Sequence, residues 1–285
     1  MTALAGKKRE VRAAVLEARQ RGERVGLVPT MGALHAGHVS LIRTAREENA
    51  FVVVSIFVNP TQFGPGEDFE RYPRPLGDDL EICRQEGVDL VFAPTPEEMY
   101  PEGFATTVHV AGLTAKMCGA ARRGHFDGVA TVVAKLFGIV APDAAYFGEK
   151  DAQQLAVIRR MAADLDLAPE IRACPLVRDA DGLATSSRNR YLAPEERARA
   201  LVLSRALAEA RQALADGERD ASRLARSVRR RIEEADGVAL EYVAVADPDT
   251  LEDIQRVGRQ VLVAVAATVG ATRLIDNILV RNLGS

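Results

Sequence analysis

Tryptophan is absent from this 285-residue sequence, aromatic residues make up only 5% of it, and histidine occurs four times. Two of those histidines, His35 and His38, stand three positions apart and are half of the chain's imidazoles. Cysteine is scarce too. Cys83, Cys118 and Cys174 are widely spaced and odd in number, with no Cys-x-x-Cys pair. That excludes a thiolate zinc site or a dithiol redox centre and predicts buried, inert thiols in a reducing compartment. Charge of one sign is lacking: the net charge is −3 and no block of five like charges occurs. Arg229–Arg231 falls in a Glu-containing helical stretch and reads as a solvated face. Binding nucleic acid without regard to sequence requires clustered positive charge, so nucleic acid is disfavoured as a partner. Long apolar runs are also missing. The longest, Val261 to Ala271, falls short of the ~20 residues that span a bilayer. Lys7-Lys8-Arg9 is not followed by the apolar core of a signal peptide. No membrane and a cytoplasmic location are the expectations.

What is present is an ordinary globular composition, 47% hydrophobic and 27% charged, in a length suited to one or two domains. Helical spacing over 7–21 precedes a strand at 25–29, a loop holding both histidines, and a helix over 37–48. The run Phe51–Val58 is nearly all apolar, as strands covered on both faces are. A Gly/Pro-rich loop extends to Pro75, then a helix over 76–85 and a strand over 88–92. After an irregular segment, 93–127, come helix 129–140, strand 144–147, helix 152–165 and strand 170–174. This alternation predicts an α/β fold with a doubly wound parallel sheet and right-handed crossovers. Past residue 176 the pattern changes to helices over 194–216 and 219–235. Strand-like runs follow at 240–246, 260–267 and 273–280. A smaller α+β domain with an antiparallel sheet is expected there, giving domains 1–176 and 177–285.

Several stretches bear polar groups at strand ends, where open α/β sheets bind ligands. In Met31-Gly32-Ala33-Leu34-His35-Ala36-Gly37-His38, neutral ring nitrogens beside helix-terminal N–H groups suit a phosphate chain. Gly32 and Gly37 have P-loop spacing, but His38-Val39 replaces the Lys-Ser/Thr pair that mechanism needs. No G-x-G-x-x-G follows a strand, which disfavours a dinucleotide site. On its own His-x-Gly-His fits an ordinary loop equally well. In Gly148-Glu149-Lys150-Asp151, Lys150 stands near a helix N-terminus, an unfavourable place for a cation unless an anion shares it. The alternative is an exposed lysine paired with Glu149 or Asp151. Thr185-Ser186-Ser187-Arg188 supplies donors for phosphate oxygens, or else forms a hydrogen-bonded turn. Asn59, Gln62 and Gln154 bear amides suited to a hydroxyl- and carboxylate-bearing substrate. Arg122 is either an anion contact or plain surface charge. Asp78 and Asp79 read as acids favoured at a helix start, or as ligands for Mg2+ shared with phosphates. Of the pair, Asp78 is taken as the candidate.

Together these stretches closely resemble the pantothenate synthetase (pantoate–β-alanine ligase) family of the nucleotidyltransferase superfamily. The likeness runs through Pro29–His38, Ser55–Phe63, His125–Val129, Phe147–Asp151 and Ser186–Asn189, and continues at Tyr242–Pro248. Ala152 departs from the family's usual aromatic, and Thr185 replaces a usual Met or Leu. The resemblance implies a Rossmann-like domain of the His-x-Gly-His type with a C-terminal lid. It implies that pantoate and ATP, with Mg2+, form pantoyl adenylate, which β-alanine converts to pantothenate with release of AMP. Met31–His38, Gly148–Asp151, Val177 and Thr185–Arg188 would then line the ATP site, with His35, His38, Lys150 and Arg188 as the catalytic donors. Gln62 and Gln154 would hold pantoate, with Asn59 and Arg122 on the same substrate side. A homodimer is the implied assembly. Two rival functions remain open at this stage. One is a ligase that adenylates a different small hydroxy acid. The other is a non-catalytic nucleotide-binding protein, against which the intact His38, Lys150 and Ser186–Arg188 set weighs; near-neutral charge weighs against a tRNA-charging enzyme.

Overall fold

The structure is a computed structural model that describes residues 2–283. The chain divides into two compact units. The first comprises residues up to Ala115, Gly119–Gly148 and Val157–Pro175; the second comprises Lys116–Cys118, Glu149–Ala156 and the chain from Leu176 on.

The elements as far as Pro175 begin with β1 (Ala3–Ala5), α1 (Lys8–Gln20), β2 (Val25–Thr30), α2 (Ala36–Glu48) and β3 (Phe51–Ile56). They continue with α3 (Leu76–Gln85), β4 (Leu90–Phe92), α4 (Pro96–Met99), α5 (Met117–Ala121), α6 (His125–Val140), β5 (Ala144–Gly148), α7 (Ala152–Asp164) and β6 (Glu170–Cys174). All adjacent strands run parallel, in the order β1-β4-β3-β2-β5-β6. The sheet winds outward one way through β3 and β4 and the other way through β5 and β6. The winding therefore reverses between β2 and β5, which is where such sheets bind ligands. The expected doubly wound α/β class holds.

Burial explains the apolar runs. Val28, Val52, Val54 and Val91 are each 0% exposed and share one cluster with Ile42, Cys83 and Tyr146. Tyr146 is buried by this packing, yet its hydroxyl donates to Glu48 and accepts from Asn49 Nδ2. Burial, with the acceptor Glu48, pushes its pKa up to about 12. All three cysteines are free and buried, as expected from their scarcity.

Several boundaries differ from the sequence expectation. β1 is an added edge strand of three residues, pairing with β4. Helix α6 begins at His125, four residues before Val129, and its first turns include Gly128, where a Cβ would lie 2.3 Å from the Thr61 carbonyl oxygen.

The second unit contains α8 (Pro194–Ala215), α9 (Ala221–Glu233), and strands β7 (Val238–Ala246), β8 (Val261–Val269) and β9 (Thr272–Val280). The three strands form an antiparallel sheet in that order, with an irregularity between Leu240 and Tyr242. Leu203, Leu207 and Leu214 of α8 and Leu224 and Ile232 of α9 pack with Val261, Val263 and Val265 of β8 into its core. Among the described residues no helix is long and apolar enough to cross a membrane.

Candidate active site

The loop after β2 turns through two consecutive left-handed residues, Gly32 (φ 80°) and Ala33 (φ 50°). Its amides point inward. Gly32 N donates to Thr30 Oγ1 at 3.1 Å, while Ala33 N and Leu34 N donate to the two carboxylate oxygens of Asp79 at 2.9 and 2.7 Å. Asp79 lies in the first turn of α3 and is 1% exposed. Successive amides in such a turn form a concavity suited to an anion, and here the chain fills it with its own carboxylate.

The two histidines complete the pattern. His35 is the N-cap of α2, and its Nδ1 accepts from Gly37 N at 3.2 Å; His38 Nδ1 accepts from His35 N at 3.3 Å. A ring nitrogen that accepts bears no proton, so in the neutral imidazole the hydrogen is on Nε2. The rings stack with centroids 4.0 Å apart. The His35 and Gly37 amides serve the imidazoles.

Asn59 and Gln62 follow β3 and come together beside this loop. Gln62 Nε2 donates to Met31 Sδ at 2.9 Å, and Gln62 Oε1 accepts from Asn59 Nδ2 at 3.1 Å. Asn59, 1% exposed, also donates to the Gly128 carbonyl and accepts from the Tyr100 hydroxyl at 2.7 Å. Arg122 behaves differently from the expected anion contact. Its guanidinium forms a forked pair with Glu67 at 2.7 and 2.6 Å and donates to His125 and to the Gln62 carbonyl oxygen. The fork a substrate carboxylate would use is taken up by Glu67. His125 Nδ1 donates to the same carbonyl at 2.8 Å, so Arg122 and His125 position Gln62. Asp78 is exposed in the first turn of α3. Among the described residues no group of three or more His, Cys, Asp or Glu is arranged to hold a metal.

In the second unit, Lys150 sits in the turn Glu149–Asp151 that directly follows Gly148, the last residue of β5. Its Nζ lies 3.9 Å from Asp151 Oδ1, and Glu149 instead pairs with Arg281 at 2.8 Å. Gln154 is half-buried, whereas its neighbour Gln153 is buried and bridges Cys118 N and the Lys116 carbonyl. The Val177 carbonyl accepts from Thr185 N at 3.0 Å. Thr185 Oγ1 donates to Asp179 at 2.7 Å, Ser186 Oγ caps the turn Ser187–Tyr191 by accepting from Arg188 N, and Asn189 Nδ2 donates to Asp179. Burial raises the Asp179 pKa, but hydrogen bonds from Arg197, Thr185 and Asn189 outweigh it and hold the carboxyl below its usual range.

Sequence reasoning passed over Asp79 as a clamp, along with Glu67, Tyr100, Arg178, Asp276 and Asn277. Only Asp79 had a visible signal, its place beside Asp78 in a helix start.

Three comparisons bear on this arrangement. The chain is 56% identical over 269 residues to the pantothenate synthetase of Moorella thermoacetica, covering 94% of this chain and 95% of that protein. A crystal structure of pantothenate synthetase from Thermus thermophilus superposes with a TM-score of 0.92 at 49% identity, covering 97% of this chain and 98% of that one. A pantoate–β-alanine ligase from Francisella tularensis, complexed with β-γ ATP and β-alanine, matches with a TM-score of 0.75 at 32% identity over 98% of each chain. The family model described as pantoate–β-alanine ligase matches residues 3–279, and the chain belongs to that family.

Proposed function

We propose that this chain condenses pantoate with β-alanine to pantothenate at the expense of ATP, through a pantoyl-adenylate intermediate. The observation that supports this most is the pair of Nε2-donating imidazoles set beside the buried Asn59–Gln62 amides at the switch point of the sheet. A carboxylate is a poor electrophile at neutral pH, so its oxygen first attacks the α-phosphorus of ATP and pyrophosphate leaves. The amine of β-alanine then attacks the acyl carbon, its protons are lost to solvent, and AMP departs with the electron pair of the broken C–O bond.

Negative charge on the phosphates grows in the first step. In this reading His35, His38, Lys150 and Arg188 meet it, with Ser186 and Ser187 hydroxyls alongside. Each such donor is worth roughly 3–4 kcal/mol. Met31–His38, Gly148–Asp151, Val177 and Thr185–Arg188 line the nucleotide. Gln62 and Gln154 hold pantoate, Gln62 also nears β-alanine, and Asn59 and Arg122 act by fixing Gln62. No acyl-enzyme nucleophile is needed; alignment of bound reactants supplies the rest, on the order of 7–11 kcal/mol.

Mg2+ belongs to the reading as the ion that neutralises phosphate charge. Asp79 is spent on backbone amides, so Asp78 offers the carboxylate, and phosphate oxygens would supply most ligands, as this ion accepts. A cytoplasmic homodimer is the assembly and location that the family resemblance supports.

The test is ATP–pyrophosphate exchange with and without pantoate, followed by addition of β-alanine and detection of pantothenate. Exchange that depends on pantoate is expected. Exchange driven better by another hydroxy acid would replace the substrate assignment, and none with any acid would overturn the activity.

A further inference from the structure

β9 is an edge strand of its sheet, and it has two adjacent buried polar residues, Asp276 (2% exposed) and Asn277 (5% exposed). Packing alone favours an apolar residue at such positions, and a buried charge is no gain in stability over one. Each side chain instead grips a different loop. Asn277 Nδ2 donates to two successive carbonyl oxygens, Glu149 at 3.0 Å and Lys150 at 2.8 Å. Two acceptors on one amide fix the orientation of the peptide units from which the Lys150 side chain springs. Arg281, just past the strand, adds its pair with Glu149.

Asp276 takes the guanidinium fork of Arg178 at 2.7 and 3.0 Å, and accepts from Asn277 N at 2.7 Å. Arg178 in turn donates to the Gly182 carbonyl and pairs across the chain with Ala184. That small hairpin leads straight into Thr185-Ser186-Ser187-Arg188. Neighbouring residues of a strand point to opposite faces, so β9 holds one loop from each face.

We propose that Asn277 and Asp276 are positioning residues for the adenylation step: Asn277 acts through Lys150, and Asp276, through Arg178, on the Thr185–Arg188 loop. This rests on the function proposed above. Neither residue touches a reacting atom in this account. Each sets where a donor stands, and misplacing a donor by about 1 Å costs about a hundredfold in rate.

The experiment is a pair of double-mutant cycles on the full chain, read by pantoate-dependent ATP–pyrophosphate exchange. Asn277→Ala should lower kcat by about ten- to a hundredfold with KM for pantoate within about twofold of wild type. In a Lys150→Ala background the same change should cost less than about twofold, because its target is already gone. Asp276→Asn should keep its full effect beside Lys150→Ala and lose most of it beside Arg188→Ala. Should Asn277→Ala not yield folded protein, Asn277→Ser keeps one donor and runs the same cycle. Effects that multiply undiminished in both cycles, or a lowered Tm with unchanged kcat, would overturn the proposal. A wild-type protein without pantoate-dependent exchange would instead bring down the function on which it rests.

Discussion

The His35–His38 loop and the Lys150 loop are both strand-to-helix connections that bear donors, yet they are held by opposite chemistry. The first is held through its N–H groups, which face Thr30, Asp79 and the imidazole Nδ1 atoms. The second is held through its carbonyls, which face the amide of Asn277. A loop that spends its N–H groups on its own fold must present anion donors from side chains. Its histidines are thereby assigned a tautomer as well as a position. A loop gripped by its carbonyls needs only to be oriented, and its lysine supplies the charge.

The comparison breaks first if either loop proves dispensable. His38→Ala and Lys150→Ala should each cut pantoate-dependent pyrophosphate exchange by at least about a hundredfold, as donor loss does. Near-wild-type exchange in one of them would remove that loop's donor from the proposed set. Next in size is Asp79→Ala, which strands two buried amides and should cost about 3 kcal/mol in urea unfolding. Asp79→Asn retains one acceptor oxygen and should recover about half. An Asp79→Ala protein of unchanged stability would show that the amides do not need the carboxylate.

Gly32→Ala tests the same clamp from the other side. Its Cβ would lie 2.8 Å from Asp79 Oδ2 and 2.9 Å from Ile56 Cγ2, at φ 80°. Left-handed strain alone costs about 1–2 kcal/mol, so a drop in Tm of several degrees is expected, and none would mean the turn relaxes.

The smallest effect concerns the tie behind Gln62. The Arg122 hydrogen bond lowers the Glu67 pKa from 4.5, against burial, which raises it. A carboxyl depressed in the folded state contributes stability above its unfolded pKa and loses it as pH falls through the folded value. Glu67→Gln should therefore flatten the acid side of the stability profile below about pH 4.5. The change at neutral pH should stay within about 1 kcal/mol, because the pair is partly solvated. A profile identical to wild type would remove the pair from the account of Gln62.

Much of the fold is legible because its strands are buried on both faces. Phe51–Ile56 lies in an apolar run broken at Asn59-Pro60, and α3 begins and ends at Leu76 and Gln85, where its pattern does. β1 is not legible, since Ala3–Ala5 is too short for any periodicity and exists only by pairing with β4. The start of α6 is hidden by Gly124 and Gly128, which read as loop although the second is there for close approach to Thr61. For the site, residues that bear unusual groups in short motifs are readable. Their holders are not. Asp79 lies 45 positions from Leu34, and Asn277 lies 127 from Lys150, so no local pattern announces either bond.

The inward-facing amides of the His35–His38 loop also bear on inhibitor chemistry. A compound that imitates a phosphate in order to collect backbone hydrogen bonds from residues 32–35 would find those amides already engaged. Contact with this loop then runs through the side chains of His35 and His38, whose Nδ1 atoms accept from backbone amides, and an uncharged acceptor can meet an N–H donor, though more weakly than an anion does. A sulfonyl or amide oxygen placed at that pair would keep the contact without the ionic charge that hinders a phosphate's passage into cells.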